Sequence, residues 1–178
     1  MPVRRCVVLL RGVNVGRAKR LAMADLRALL ADLGATDVRT YLQSGNAVVT
    51  ADPEGLAGRV EEALADRLGL QVRVLVVDGE QVVRVVDRNP FPERAAENPK
   101  LVHVAFLEKP ADPAVLEAFG RRHGDDEIVG REGVIYLSYA DSSLESPVSA
   151  VFARLDGFVT TRNWRTVVAV RDLVVDGG

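Results

Sequence analysis

Apolar positions along the chain fall into two kinds of pattern, short unbroken runs and stripes at helical spacing. Cys6 to Leu10 is an unbroken run bounded by arginines, the signature of a strand buried on both faces. Met23, Leu26, Leu29, Leu30 and Leu33 recur at helical spacing, and Gly34 is placed to end that helix. Asp37 to Leu42 and Ala47 to Thr50 read as strands around Gln43-Ser44-Gly45-Asn46, whose Ser-Gly pair suits a hairpin turn. Leu56, Val60, Leu64 and Leu68 form a second helical stripe, and Gln71 to Val77 reads as another strand. Strand, helix, strand, strand, helix, strand is the split βαβ or ferredoxin-like order.

Two signals compete in the next segment. Asp78-Gly79 before Val82, Val83, Val85 and Val86 suits a hairpin turn and a strand, whereas Asp78 with Gln81 fits a helix capping box. Helix is the expectation taken. Asn89 to Pro99, with Pro90, Pro92 and Pro99 among alternating charges, reads as a connection. Leu101 to Leu107 then reads as a strand, followed by a helix with Asp112 as N-cap and Pro113 at its first position. Ile128 to Gly130 and Val134 to Ser138 read as paired strands about a Glu132-Gly133 turn. Ser146-Pro147 opens a short helix through Leu155, and Thr160-Thr161-Arg162-Asn163-Trp164 opens a last one. The pattern therefore predicts an α+β protein of two similar ferredoxin-like halves with antiparallel sheets and a C-terminal helix. Residues 1–90 would form the first half and 91–178 the second, without a residue-level repeat between them.

The composition agrees with a folded soluble chain of 178 residues, with 48% hydrophobic and 27% charged residues. Cys6 is the only cysteine, so no intramolecular disulfide can form. The basic start and apolar run to Leu10 are too short for a signal-peptide core, and no run approaches membrane-spanning length. A cytoplasmic protein with no membrane partner is expected. The net charge of -2 conceals an asymmetry, because residues 1–50 carry net +5 and the remainder net -7. An anionic partner near the N-terminal loops fits that separation better than a general nucleic-acid coat does.

Topology then locates a site. First and third strands of a ferredoxin-like sheet are antiparallel neighbours, so Arg11 to Gly16 leaves the first where Gln43 to Asn46 enters the third. That edge gathers Arg11, Gly12, Asn14, Gly16, Gln43, Ser44, Gly45 and Asn46, with Arg17, Lys19 and Arg20 nearby. Freed backbone amides, a helix N-terminus and guanidinium groups make an anion site. Either loop alone reads as chain turning, with asparagines bonding their own backbone. Convergence beside a basic excess favours binding. Arg162 and Arg165, taken as lying at a helix N-terminus where cations oppose the macrodipole, join the candidates.

Other chemistries find little support. Gly12 to Arg17 lacks both the Gly-Lys-Ser/Thr ending of a P-loop and the spacing of a dinucleotide fingerprint. RNA remains a candidate partner but not in the manner of an RNA-recognition motif, because Cys6 to Leu10 and Ala47 to Thr50 carry no aromatic residue to stack on a base. His103 reads as a sheet histidine and His123 as a helix-end one, so no zinc site is expected. Ser44 has no visible basic partner, and Cys6 reads as core.

Leu9 to Gly16, Thr40 to Asn46, Asn89-Pro90-Phe91 and Thr161-Arg162-Asn163-Trp164, in this order across nearly the whole chain, resemble the bacterial domain of unknown function family 1697. The resemblance implies an α+β protein of two similar halves and adds Arg162 and Asn163 to the candidate ligand contacts. It implies no activity, cofactor or oligomeric state. This chain departs from the family pattern at Asp141-Ser142-Ser143-Leu144-Glu145 and near Ala169, where relatives tend to carry lysine. Three readings of function stand side by side. One is a binder of a small anionic ligand such as a nucleotide or phosphorylated metabolite. Another is a transferase or hydrolase of a phosphorylated substrate with Ser44 or Asn46 positioning the reacting group, for which no general base is evident. The third is a protein-interaction module without a ligand.

Overall fold

In a computed structural model, residues 2–15, 19–112, 114, 125–141 and 152–177 are described. The chain divides into two compact units, residues 1–83 with 169–178, and residues 84–168. The division falls inside two helices, introduced below as α3 and α5.

In the first unit, β1 (Arg4–Leu10) is followed by α1 (Met23–Asp32), β2 (Thr36–Tyr41), β3 (Asn46–Ala51), α2 (Leu56–Leu68) and β4 (Val74–Asp78). The strands form an antiparallel sheet in the order β2-β3-β1-β4. Cys6 to Leu10 are all buried, as an unbroken apolar run requires. Cys6, Val8 and Leu10 face one side with Ala47, Val49 and Ala51, and the stripes Met23/Leu26/Leu29/Leu30 and Leu56/Val60/Leu64 close that core. Burial pushes the Cys6 thiol up from its ordinary value, so the reactive thiolate is disfavoured.

Arg5 reaches across the same unit to the C-terminal residues. Its Nη1 donates to Thr50 Oγ1 and its Nη2 to the carbonyl of Leu173. The segment at Asp78 resolves as a helix, α3 (Gly79–Asp87), and Asp78 Oδ1 accepts the amide of Glu80 at 2.9 Å. A side-chain acceptor at this position satisfies an amide that the helix itself leaves unpaired.

The second unit contains β5 (Val102–Leu107), β6 (Glu127–Arg131), β7 (Val134–Ser138) and β8 (Val159–Asn163), in the order β6-β7-β5-β8. Counted in chain order, both sheets have the arrangement second-third-first-fourth. The halves are ferredoxin-like and the protein is α+β. Glu132 and Gly133, both at positive φ, form the expected two-residue turn between β6 and β7. Ala105, Ile128, Ile135, Leu137 and Tyr139 form a core on one side of the sheet.

Two segments differ from expectation. Val159 to Asn163 is the fourth strand, paired with β5, and not the opening of the last helix. Val159, Thr160 and Thr161 are β-branched, and a strand beside β5 satisfies backbone groups that would otherwise be left at an open edge. The last helix, α5 (Trp164–Val175), begins only afterwards, and its cap is Asn163 rather than Thr160 or Thr161: Asn163 Oδ1 accepts the amide of Thr166 at 3.0 Å. The Asn89–Pro99 connection also contains a short helix, α4 (Pro92–Glu97). Proline is tolerated in a first turn, and the following Glu-Arg-Ala-Ala-Glu favours helix. The expected helix body after Pro113 and the segment from Ser146 fall largely outside the described residues, as do Gly16, Arg17 and Ser142 to Glu145.

Candidate anion-binding site

The register of β1 against β3 carries Leu9 to Asn46, so the loop leaving β1 and the loop entering β3 share one edge. They are bonded to each other. Leu10 donates its amide to the carbonyl of Gly45 at 2.9 Å, and Asn14 donates Nδ2 to the carbonyl of Gln43 at 2.5 Å. Asn14 closes its own loop as well, through Nδ2 to the carbonyl of Leu21 and from the Leu21 amide to Oδ1. Both amide hydrogens and the oxygen are thereby engaged. The backbone there is left-handed at φ 55°, a conformation asparagine tolerates better than most residues.

Asn46 is wholly buried, and its Nδ2 donates to the carbonyl of Tyr41 and to Ser44 Oγ. Gly45 fills a place no side chain can take. A Cβ there would stand 2.7 Å from both Leu10 Cβ and Val13 Cγ2, at a φ of +73°. Asn14, Gly45 and Asn46 thus build the edge, while Gln43 and Ser44 sit exposed on it.

Beside the edge, on the β4 side, lies a cleft of about 480 Å³ lined by Arg11, Gly12, Lys19, Glu61, Gln71, Val72 and Arg73. Its construction follows from the second pairing of β1. Leu10 lies opposite Val74, and the amide of Arg11 donates to the carbonyl of Arg73, which brings two arginines to neighbouring backbone positions. Glu61 on α2 fixes this corner: its Oε1 accepts the amide of Val74 at 2.8 Å and Arg73 Nε at 3.2 Å. Among the described residues, the side chains of Arg11 and Lys19 make no hydrogen bond or ion pair. Among the described residues the lining therefore sets three cations against one carboxylate.

Glu61, Gln71, Val72 and Arg73 are not among the site residues expected from the sequence, which rest on the β1–β3 contact alone. For Gln71, Val72 and Arg73 the signal was available: in the same topology β4 flanks β1 on its other side, and Arg73 directly precedes the apolar run Val74 to Val77.

Arg162 and Asn163 belong to the second unit. Arg162 lies in β8, and its Nη1 donates to Thr160 Oγ1 at 2.8 Å and to the carbonyl of Thr161 at 3.0 Å. Burial pushes its pKa down to about 10, which leaves it charged at neutral pH. Asn163 spends its oxygen on the α5 cap. Arg165 is exposed in the first turn of α5. His103, on β5, packs edge-on to Tyr139 with ring centroids 5.1 Å apart, and its buried Nδ1 has no hydrogen-bond partner. Desolvation lowers its pKa, partly offset by the nearby backbone of Leu101. Among the described residues no group of three or more His, Cys, Asp or Glu is placed to hold a metal ion. No described helix is long and apolar enough to cross a membrane.

Comparison with known proteins adds to the fold. Over 97% of this chain and 99% of the other, the structure resembles that of the conserved bacterial protein SP0830 from Streptococcus pneumoniae, with a TM-score of 0.74 at 19% identity. Identity this low speaks for a shared fold and for nothing about ligands. A match to RNA-recognition domains 1 and 2 of Sex-lethal from Drosophila melanogaster, at 16% identity over 90% of this chain and 99% of that one, has a TM-score of only 0.24 and carries no argument. No curated protein matches the sequence. Residues 3–136 match the model of the family described as protein of unknown function (DUF1697), and the chain belongs to that family.

Proposed function

We propose that this protein binds a small anionic ligand, a nucleotide or phosphorylated metabolite, in the cleft beside the β1 loop. One observation carries the reading: Arg11 and Lys19 line a cleft of about 480 Å³ without any counter-charge of their own among the described residues, and Arg73 completes a lining of net positive charge. Guanidinium groups present N–H donors in a fork that matches phosphate or carboxylate oxygens, and the concave wall strengthens their field. The volume lies within the ordinary range for small-molecule sites.

Roles divide accordingly. Arg11, Gly12, Lys19 and Arg73 face the ligand, while Asn14, Gln43, Ser44, Gly45 and Asn46 hold the loops that present Arg11. Arg162 and Asn163 serve the local structure of β8 and α5. Glu61 is the one carboxylate among the described residues of the lining, and it already accepts from Val74 and Arg73, so binding rather than proton transfer is the activity proposed. A cytoplasmic setting belongs to the same reading, consistent with a single buried thiol.

A thermal-shift screen of nucleotides and phosphorylated metabolites tests it. Ligand at a hundred times its dissociation constant should stabilise the fold by about 2.7 kcal/mol. The stabilisation should vanish in the Arg11→Ala/Lys19→Ala double variant. A hit that stabilises this variant as much as the unaltered protein would show that the site lies elsewhere.

A further inference from the structure

The carboxylate in a cationic cleft calls for an explanation, because Glu61 weakens the field that would hold an anion. A purely structural duty accounts for half of it. Glu61 Oε1 accepts both the Val74 amide and Arg73 Nε, whereas Oε2 makes no hydrogen bond among the described residues. The group is partly exposed, with a side-chain accessibility of 30%, and it lines the same cleft as Arg11 and Lys19. A glutamine would also offer an oxygen to the Val74 amide. A charged carboxylate, held rigid at one oxygen and open at the other, is an acceptor awaiting a donor.

The donor's chemistry is limited by its surroundings. An ammonium group on the ligand would meet three cations, Arg11, Lys19 and Arg73, close to the single carboxylate. A neutral hydroxyl meets no such repulsion, and a hydrogen bond from it to an ionised carboxylate is of the stronger, charge-assisted kind. Gln71, with both donor and acceptor atoms, fits the same polyhydroxylated partner. The volume is also generous for an inorganic anion alone.

From this arrangement, and resting on the anion-binding reading above, we infer that the ligand is a hydroxyl-bearing phosphate ester, a sugar phosphate or the ribose phosphate of a nucleotide. Its phosphate lies against Arg11 and Lys19, and a hydroxyl donates to Glu61 Oε2. Glu61 thus selects against simple anions and for phosphorylated polyols.

The test compares ribose 5-phosphate with butyl phosphate, which carries the same charged group without the hydroxyls, by isothermal titration on the intact protein. The unaltered protein should bind ribose 5-phosphate about tenfold more tightly, the scale of one hydrogen bond to a charged group. In Glu61→Gln, which keeps an acceptor for Val74, that preference should fall to about twofold or less while butyl phosphate binds equally or more tightly. Arg11→Ala should weaken both ligands and leave the preference intact. Equal binding of the two esters by the unaltered protein, or an undiminished preference in Glu61→Gln with its melting temperature preserved, would overturn the role of Glu61 while leaving the anion site standing. Failure of both esters and of tripolyphosphate to bind would overturn the anion site itself, and this inference with it.

Discussion

Asn14 uses its whole side-chain amide on the chain itself, bonding Leu21 twice and Gln43 once. Asn14→Ala should therefore cost about 1–3 kcal/mol in urea unfolding, because it strands buried or half-buried backbone groups. Asn14→Gly, which restores the left-handed backbone but not the bonds, should recover only a fraction of that loss. An Asn14→Ala protein as stable as the original would mean that the clip contributes nothing. Gly45→Ala should cost more than about 1 kcal/mol, since strain at positive φ adds to a 2.7 Å encounter with Leu10 and Val13.

His103 gives a pH dependence of defined sign. Burial lowers its pKa in the folded state below the ordinary 6.5, so the unfolded chain takes up the proton more readily. Its contribution to stability is complete above 6.5 and is lost as pH falls below that value. Unfolding free energies measured from pH 7.5 down to about 5 should decline more steeply for the native sequence than for His103→Gln. Identical slopes would contradict the assignment, and the comparison removes any contribution of His123, which both proteins share.

Among elements, α3 shows how a helix end is fastened to a sheet. Tyr136, fully buried on β7, donates its hydroxyl to the carbonyl of Val85, and burial holds its pKa up at about 12. Arg84 and Arg88 both pair with the Glu132 carboxylate at the β6–β7 turn, at 3.3 and 3.0 Å. Tyr136→Phe leaves the Val85 carbonyl without this donor and should destabilise the protein by about 1 kcal/mol or somewhat more. The exposed arginine pairs should matter less, at a few tenths of a kcal/mol each.

Most elements were legible because their patterns are periodic: the β1 run, the stripes of α1 and α2, and the Glu132-Gly133 turn each carry an unambiguous local signal. β8 was not, because Thr-Thr-Arg-Asn-Trp resembles a capped helix start when read alone. What makes it a strand is its pairing with β5, a tertiary fact. α4 was hidden by prolines that read as loop markers, although Pro92 occupies a position that a helix accepts.

For the whole molecule, two of the basic residues of the first fifty, Arg11 and Lys19, line the cleft at the end of β1. The sequence could indicate Arg11 and Lys19, because they lie on a loop that topology places at a sheet edge. It could not indicate Glu61, which reaches that edge only through the way α2 lies against the start of β4. Binding that depends on partly exposed cations should weaken as salt rises, and affinity for a phosphate ester should fall by at least about tenfold between about 0.05 and 0.5 M sodium chloride. Affinity independent of salt would point to an apolar site instead.

Residue-resolved mapping tests the central claim most directly. In a titration of the isotope-labelled protein with tripolyphosphate, followed by amide chemical shifts, the largest saturable changes should fall at Gly12, Lys19, Arg73 and Val74 and should be lost in the Arg11→Ala/Lys19→Ala variant. Saturable changes centred anywhere else, or unaltered in that variant, would contradict the site.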